Sequence, residues 1–170
     1  MPKNFLFRIL FLVVAGSMVW TAALFGHCEV PCGIYNDKLR VDLLKEHITT
    51  IEKSMNEIIE LSRAGDKNYN QVVRWIENKD QHANEIQHIV SQYFMTQRIK
   101  PPQNDSEKEA YQNKLGLLHE MLIYAMKCKQ TTDVGNCAKL NELVDKFSAA
   151  YFGAADLEHL KEHDKKDGLG

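Results

Sequence analysis

The fold of this chain is predicted by residues 36–65, NDKLRVDLLKEHITTIEKSMNEIIELSRAG. Apolar residues recur in this stretch at intervals of three and four: Val41, Leu44, Ile48, Ile51, Met55 and Ile58. Such spacing places them on one face of an α-helix. Asn36 and Asp37 both suit the N-cap position, and Gly65 suits the end of the helix. The stretch therefore predicts an amphipathic helix that buries one face.

Three similar stripes follow along the chain. The second comprises Val72, Ile76, Ala83, Ile86, Val90 and Tyr93; the third comprises Tyr111, Leu115, Leu118, Leu122 and Met126; the fourth, from near Asn136, comprises Cys137, Leu140, Val144, Phe147 and Tyr151. Pro101 and Pro102 must lie beyond the second helix, because proline cannot continue one. Ser106, with Glu109 three residues later, has the spacing of a capping box and predicts the start of the third.

Together the four stripes predict an all-α fold, an antiparallel up-and-down four-helix bundle. No alternating strand pattern competes with it. The predicted divisions are a signal peptide or propeptide-like leader at 1–26, a loop rich in metal donors at 27–35, the bundle at 36–154 and a polar C-terminal tail at 155–170.

Residues 1–26, MPKNFLFRILFLVVAGSMVWTAALFG, are typical of a cleavable leader. Lys3 and Arg8 come before most of the apolar residues, and Gly26 is a small residue at which a protease can cut before His27. The stretch from Ile9 to Phe25 is slightly short for a membrane span of about 20 residues, but an uncleaved anchor stays open. We expect export to a periplasm or lumenal space, and a membrane-anchored precursor is the alternative.

The charge balance bears on the choice of partners. Lys and Arg number 21 against 23 Asp and Glu, a formal net charge of −2. This balance gives no reason to expect a nucleic-acid partner. The sequence also has no Gly-rich phosphate loop and no HExxH motif. Contact with a membrane is expected only through the uncleaved leader.

The loop after the leader concentrates metal donors in His27-Cys28-Glu29-Val30-Pro31-Cys32. Cleavage before His27 would free an α-amine, which joins the imidazole, a backbone nitrogen and two thiols as possible donors. A planar set of nitrogen and thiolate donors suits nickel or copper, whereas zinc favours a tetrahedron. Spacing alone leaves three interpretations open: a Cys28–Cys32 disulfide or accidental pair, a zinc or copper site, and a redox nickel site.

A second pair of cysteines flanks a turn-like stretch, KQTTDVGN, between the third and fourth predicted helices. Cys128 and Cys137 can bridge two helix ends or remain free thiols, and export permits either state.

The pattern His27-Cys28-x-x-Pro31-Cys32-Gly33-x-Tyr35 resembles the N-terminal nickel hook of the nickel-containing superoxide dismutase family, in which the hook precedes a four-helix bundle. The resemblance implies an enzyme that converts superoxide to oxygen and hydrogen peroxide by Ni(II)/Ni(III) cycling. It also implies one nickel ion per subunit, a processing protease as partner, and a homohexamer.

The resemblance further implies roles for particular residues. His27, Cys28 and Cys32 would be the metal ligands. Tyr35 and Tyr93 would be catalytic residues, with Tyr35 limiting access to the metal. Three further residues would support these ligands without binding the metal: Asp42, His82 and Pro31. The family has a carboxylate on the first helix and an arginine on the second at the nearest positions. Asp42 keeps the carboxylate with a shorter reach than glutamate, whereas His82 departs from the family by replacing the arginine.

Two other functions remain alternatives at this point. One is an exported helical binding module in which Cys28 and Cys32 form a disulfide. The other is a nickel or copper carrier without catalytic turnover.

Overall fold

The computed structural model describes residue 31 and residues 33–166, with side chains described through residue 153 except at residue 66. The predicted leader, together with His27, Cys28 and Cys32, lies outside the described residues. The chain divides into two compact units, Met1–Ile34 and Tyr35–Gly170. All the described helices belong to the second unit.

The described residues form four α-helices and no strand. They are α1 (Asp37–Arg63), α2 (Tyr69–His88), α3 (Lys108–Gln130) and α4 (Gly135–Lys166). A π-helical continuation of α2, Ile89–Arg98, is here called the π segment. Short 3-10 turns, Gly65–Asn68 and Asp105–Glu107, precede α2 and α3. This arrangement confirms an all-helical fold consistent with a four-helix bundle.

Contacts between the helices establish their directions. Asn78 in α2 donates to Ser54 in α1 at 2.9 Å, while Tyr93 farther along reaches back to Asp37. In the same way, α3 runs opposite to α2, and α4 runs opposite to α3. Both α1 and α3 pack against α2 and α4. Successive helices in the described part of the chain therefore run in opposite directions.

The core contains the apolar stripes of α1 and α4 as predicted. Its fully buried members include Leu44, Ile48, Ile51, Met55, Phe94, Leu118, Met121, Leu140, Val144 and Phe147. The predicted stripe of α3 is wrong at Met126, which is exposed, because Met121, Ala125 and Cys128 form the buried face instead.

The predicted stripe of α2 is wrong at one position. Ile76 is 40% exposed, whereas Lys79 is only 3% exposed. The Lys79 Nζ donates to the carbonyls of Cys128 at 2.7 Å and Lys129 at 2.6 Å. These carbonyls belong to the last turn of α3, where no intrahelical donor is present, so the ammonium group satisfies them and opposes the negative end of the helix. Lys79 is buried for this reason.

The capping box predicted at the start of α3 does not form. Ser106 lies inside the 3-10 turn, where its hydroxyl donates to Asn104 Oδ1 at 2.6 Å. The turn is instead closed by Glu107, whose carboxylate accepts from the Gln103 backbone N–H at 3.0 Å and from Asn104 Nδ2 at 2.8 Å. The Glu107 carboxylate therefore accepts hydrogen bonds from the loop that precedes the turn.

The C-terminal residues extend further as helix than predicted. Helical structure continues to Lys166, into the residues interpreted as a polar tail, although Gly153 interrupts it with φ 76° and ψ 169°. Leu, Glu and Lys are common after Gly153, and all three favour helix without an apolar stripe. Among the described helices, none combines the length and apolar character needed to cross a membrane.

Candidate functional site

Part of the predicted donor loop is described. Pro31 is half-buried, and Gly33 adopts φ 78°, a left-handed conformation that favours glycine. The three predicted metal ligands, His27, Cys28 and Cys32, lie outside the described residues.

A network of hydrogen bonds surrounds Asp37 at the start of α1. Its Oδ1 accepts from the Tyr93 hydroxyl at 2.6 Å and from Arg98 Nε at 2.8 Å. Its Oδ2 accepts from Arg98 Nη2 at 2.6 Å and from the Tyr151 hydroxyl at 2.8 Å. We call these four residues the Asp37 cluster. The cluster joins α1, the π segment and α4 through one carboxylate.

The local sequence explains why Asp37 is available for these contacts. Asn36 occupies the N-cap position and accepts from the Leu39 backbone N–H at 3.0 Å. Asp37 is then the first residue of the helix, where a negative charge is favoured by the helix dipole. Its side chain is consequently free to face the bundle rather than cap its own helix.

The π segment brings Tyr93 and Arg98 to the same carboxylate. In an α-helix, residues four apart are hydrogen-bonded neighbours, whereas a π-helix makes neighbours of residues five apart. Tyr93 and Arg98 are five apart, and Ile99 N–H bonds the Phe94 carbonyl at 2.9 Å with the same spacing. Continued α-helical winding would turn one of the two side chains away from Asp37.

Tyr35 lies on the outside of the Asp37 cluster. Its ring meets the Tyr93 ring edge to face, with centroids 5.9 Å apart, and the Arg98 guanidinium carbon lies 4.3 Å from its centroid. The side chain is nevertheless 39% exposed. Within the described part of the chain, its hydroxyl has no hydrogen-bond partner. The Tyr35 ring is therefore held by both Tyr93 and Arg98.

Electrostatics keep the cluster in one protonation state at neutral pH. Burial raises the pKa of Asp37, but hydrogen bonds from Arg98, Tyr93 and Tyr151 outweigh burial and hold that pKa below its ordinary value of 3.8. Burial and the bond to Asp37 raise the pKa of Tyr93, and the same causes raise the pKa of Tyr151 to about 12. The carboxylate is therefore charged and both hydroxyls are protonated.

These contacts define what Tyr93 can do. Its ring is 4% exposed, and its hydroxyl hydrogen is donated to Asp37. Such a group positions its neighbours more readily than it exchanges protons with a ligand. The catalytic role predicted for Tyr93 stays a prediction, and positioning of Tyr35 is the role that its contacts favour.

The residues predicted to support the ligands lie outside the Asp37 cluster. The Asp42 carboxylate pairs with Lys38 at 2.9 Å on the exposed surface of α1. His82 Nδ1 lies 2.7 Å from His47 Nδ1, across the interface of α1 and α2. Their support of His27 stays a prediction, because His27 is not among the described residues.

Sequence patterns overlooked Asp37, Arg98 and Tyr151 as site residues. Asp37 was identified only as a possible helix cap, and Tyr151 only as core. The one available signal was that Asp37 directly follows Asn36, which is the better N-cap residue. A carboxylate in that position is not needed to cap its own helix and can bond elsewhere.

The His47–His82 pair makes stability depend on pH. One ring must donate and the other accept, and protonation of both rings would leave two donors facing each other. Burial lowers the pKa of His47 first, and the nearby His82 lowers it further, while Glu85 and Glu46 act in the opposite direction. With a folded pKa below the ordinary 6.5, the unfolded chain binds more protons in the interval between the two values.

We expect the free energy of unfolding to decrease as the pH falls below about 6.5 toward the folded pKa of His47. Replacing His47 with glutamine should remove this decrease, whereas replacing the exposed His119 on α3 should preserve it. Urea unfolding at closely spaced pH values between 7.5 and 5 measures the effect. Parallel curves for the wild type and His47→Gln would contradict this interpretation.

A cavity of about 350 Å³ lies beside the Asp37 cluster. Arg98 and Tyr151 form part of its wall, together with Lys100 and Lys114. No cluster of three or more His, Cys, Asp or Glu side chains suited to a metal occurs among the described residues.

Comparisons with known proteins bear on the chemistry of this site. The family model described as nickel-containing superoxide dismutase matches residues 21–154. No curated protein and no solved structure matched the chain. The family match spans the predicted donor loop, the Asp37 cluster and all four helices as far as the break at Gly153. The chain therefore belongs to the nickel-containing superoxide dismutase family, an oxidoreductase family that acts on superoxide with a nickel cofactor.

Proposed function

We propose that this chain converts superoxide to oxygen and hydrogen peroxide at a nickel ion held by His27, Cys28 and Cys32 after cleavage between Gly26 and His27. The observation that carries the proposal is the family match, which begins before the donor loop and continues through the bundle. The nickel-hook pattern lies within that match.

The chemistry of the donor residues fits nickel. His27 would bind through its α-amine and imidazole, Cys28 through its backbone nitrogen and sulfur, and Cys32 through its sulfur. Thiolate and nitrogen donors suit a planar nickel site, whereas calcium or magnesium would require oxygen ligands. The nickel would supply a Ni(II)/Ni(III) couple that accepts an electron from one superoxide and donates it to another.

Tyr35 is the protein group best suited to serve the substrate. It follows Cys32 by three residues, so covalent geometry keeps the two Cα atoms within about 11 Å. Arg98 and Tyr93 hold the ring, while the hydroxyl has no partner among the described residues. Tyr35 would limit access to small molecules and hold a proton for the peroxide product. Asp37 acts through Arg98 and Tyr93 as a positioning residue.

Export and assembly are further parts of the proposal. The leader composition supports delivery to a periplasm or lumenal space, with a protease completing maturation. Tyr69, Val73 and Ile76 are exposed at helical spacing along α2 and form an apolar stripe suited to subunit contact. This stripe supports a homo-oligomer, and the family resemblance specifies a hexamer with one nickel per subunit.

Nickel loading of a chain that begins at His27 tests the proposal. We expect about one nickel per chain and rapid consumption of superoxide, both lost in Cys28→Ser. A Cys28–Cys32 disulfide module would hold no stoichiometric nickel, and a carrier would bind nickel without consuming superoxide. Either result would contradict the proposed function.

A further inference from the structure

Cys128 and Cys137 face each other across the connection between α3 and α4. Cys128 lies in the last turn of α3 and Cys137 in the first turn of α4, and their Sγ atoms are 4.0 Å apart. Both residues are free thiols and fully buried. A third sulfur, Met55 Sδ, lies 3.8 Å from Cys137 Sγ. The proposed superoxide chemistry uses none of these atoms.

The surroundings make the two thiols unequal. The hydrogen bond from Cys137 lowers the pKa of Cys128, and the Lys79 ammonium lowers it further against the opposing effect of burial. The same hydrogen bond and burial raise the pKa of Cys137. Lys79 is held in place because it donates to the Cys128 and Lys129 carbonyls. Because the thiolate is the reactive form, the lowered pKa favours Cys128 as the sulfur that attacks first.

We propose that Cys128 and Cys137 form a redox pair that hydrogen peroxide closes into a disulfide joining the end of α3 to the start of α4. The Cys128 thiolate attacks one peroxide oxygen, the O–O bond breaks, and the departing hydroxide leaves as water after taking up a proton. Cys137 sulfur then attacks the resulting Cys128 sulfenic acid, the S–O bond breaks, and the second oxygen leaves as water. Two thiols lose two electrons, and one peroxide becomes two waters.

The required movement is small. The sulfurs must move from 4.0 Å to a bond length of about 2.05 Å. The segment between the cysteines includes the exposed residues Thr131, Asp133, Val134 and Gly135, which can adjust without disturbing the core. A cavity of about 330 Å³ lies against Lys79 and Lys129, beside the carbonyl end of α3. Neither cysteine lines this cavity and both are fully buried, so peroxide would reach the pair through a local opening of the connection between α3 and α4.

The closed pair would stabilise the enzyme in the presence of its own product. A disulfide across this connection restricts the unfolded chain and links two helix ends that otherwise separate on unfolding. The closure itself does not rest on the proposed nickel site, because peroxide from any source performs the same reaction. Failure of one proposal therefore leaves the other untouched.

Trypsin mapping of the full chain after peroxide treatment tests the proposal directly. Trypsin cuts after Lys127, Lys129 and Lys139, so only a disulfide can hold Cys128 and Cys137 in one fragment. A Cys28–Cys32 disulfide stays within a single peptide that ends at Lys38 and is therefore distinguishable. We expect the linked fragment after added hydrogen peroxide and its loss after reduction. Two thiols that stay free, or Cys128 oxidised to sulfinic acid without linkage, would overturn the proposal.

Three further measurements separate a redox pair from simple packing. Oxidation should raise the midpoint of thermal unfolding by about 10 °C, and Cys128→Ser should show no such rise. Cys137→Ser should stop the reaction at a Cys128 sulfenic acid that a carbon nucleophile can label.

Lys79→Gln should slow closure of the disulfide about tenfold, with the rate restored in Lys79→Arg. An equal rate in Lys79→Gln would overturn the role of Lys79, and unlabelled Cys128 would overturn the order of attack.

Discussion

A chain that retains Gly26 ahead of His27 should lose superoxide dismutase activity by about 100-fold or more relative to a chain that begins at His27. The additional residue converts the His27 α-amine into a peptide nitrogen, which can bind metal only after losing its proton, so the proposed pair of one amine and one peptide nitrogen is lost. Both thiols and the imidazole are unchanged by this extension. The comparison therefore isolates the contribution of the amine to the metal site.

The two forms should unfold at the same urea concentration. The first of the four helices begins at Asp37, after the altered residue, and all four have the same sequence in both forms. Nickel content and superoxide consumption should be measured on the same samples. Full activity in the chain that retains Gly26 would show that the amine is not a ligand. Equal nickel content with lost activity would limit the amine to tuning the metal rather than holding it.

Replacing Asp37 with alanine should destabilise the bundle by about 3 kcal/mol. The Asp37 side chain is 16% exposed and accepts four hydrogen bonds, two of them from Arg98. Its removal leaves a partly buried guanidinium without its carboxylate and leaves the Tyr93 and Tyr151 hydroxyls without their acceptor. Asp42→Ala is the matched control on the same helix, with an expected loss of about 0.5 kcal/mol or less, since its carboxylate pairs with Lys38 at the surface.

The pH dependence of this difference provides a second measurement. Because the folded pKa of Asp37 lies below its ordinary value, its contribution is complete above about pH 4 and is lost as the pH falls through the folded pKa. The stability of wild type and Asp37→Ala should therefore converge in acid. A difference that persists unchanged at pH 2 would contradict a role for the ionised carboxylate. Lower activity in folded Asp37→Ala would also connect the cluster to the position of Tyr35.

Hydrophobic periodicity predicted the helices because burial of an apolar face determines where they form. It was accurate for α1 and α4, where each stripe faces other helices throughout. It misplaced Ile76 and Lys79 because the burial of Lys79 depends on two carbonyls at the end of α3, and the sequence of α2 contains no sign of them. Polarity alone does not indicate where a distant acceptor will lie.

The Asp37 cluster was harder to predict for a different reason. Tyr93 and Arg98 converge on one carboxylate through π-helical winding, which changes which residues share a face. A search for spacings of three and four does not detect a pair five residues apart. The metal ligands, in contrast, were identified from a short run of donor residues and a family resemblance, and their chemistry required no knowledge of the bundle.

The N-terminal sequence of the protein purified from its native host, measured together with its nickel content, tests the central claim most directly. We predict that the mature chain begins at His27 and carries about one nickel ion. A chain that begins at Met1, or at any residue other than His27, would contradict the account, because the His27 amine would then be locked in a peptide bond or absent.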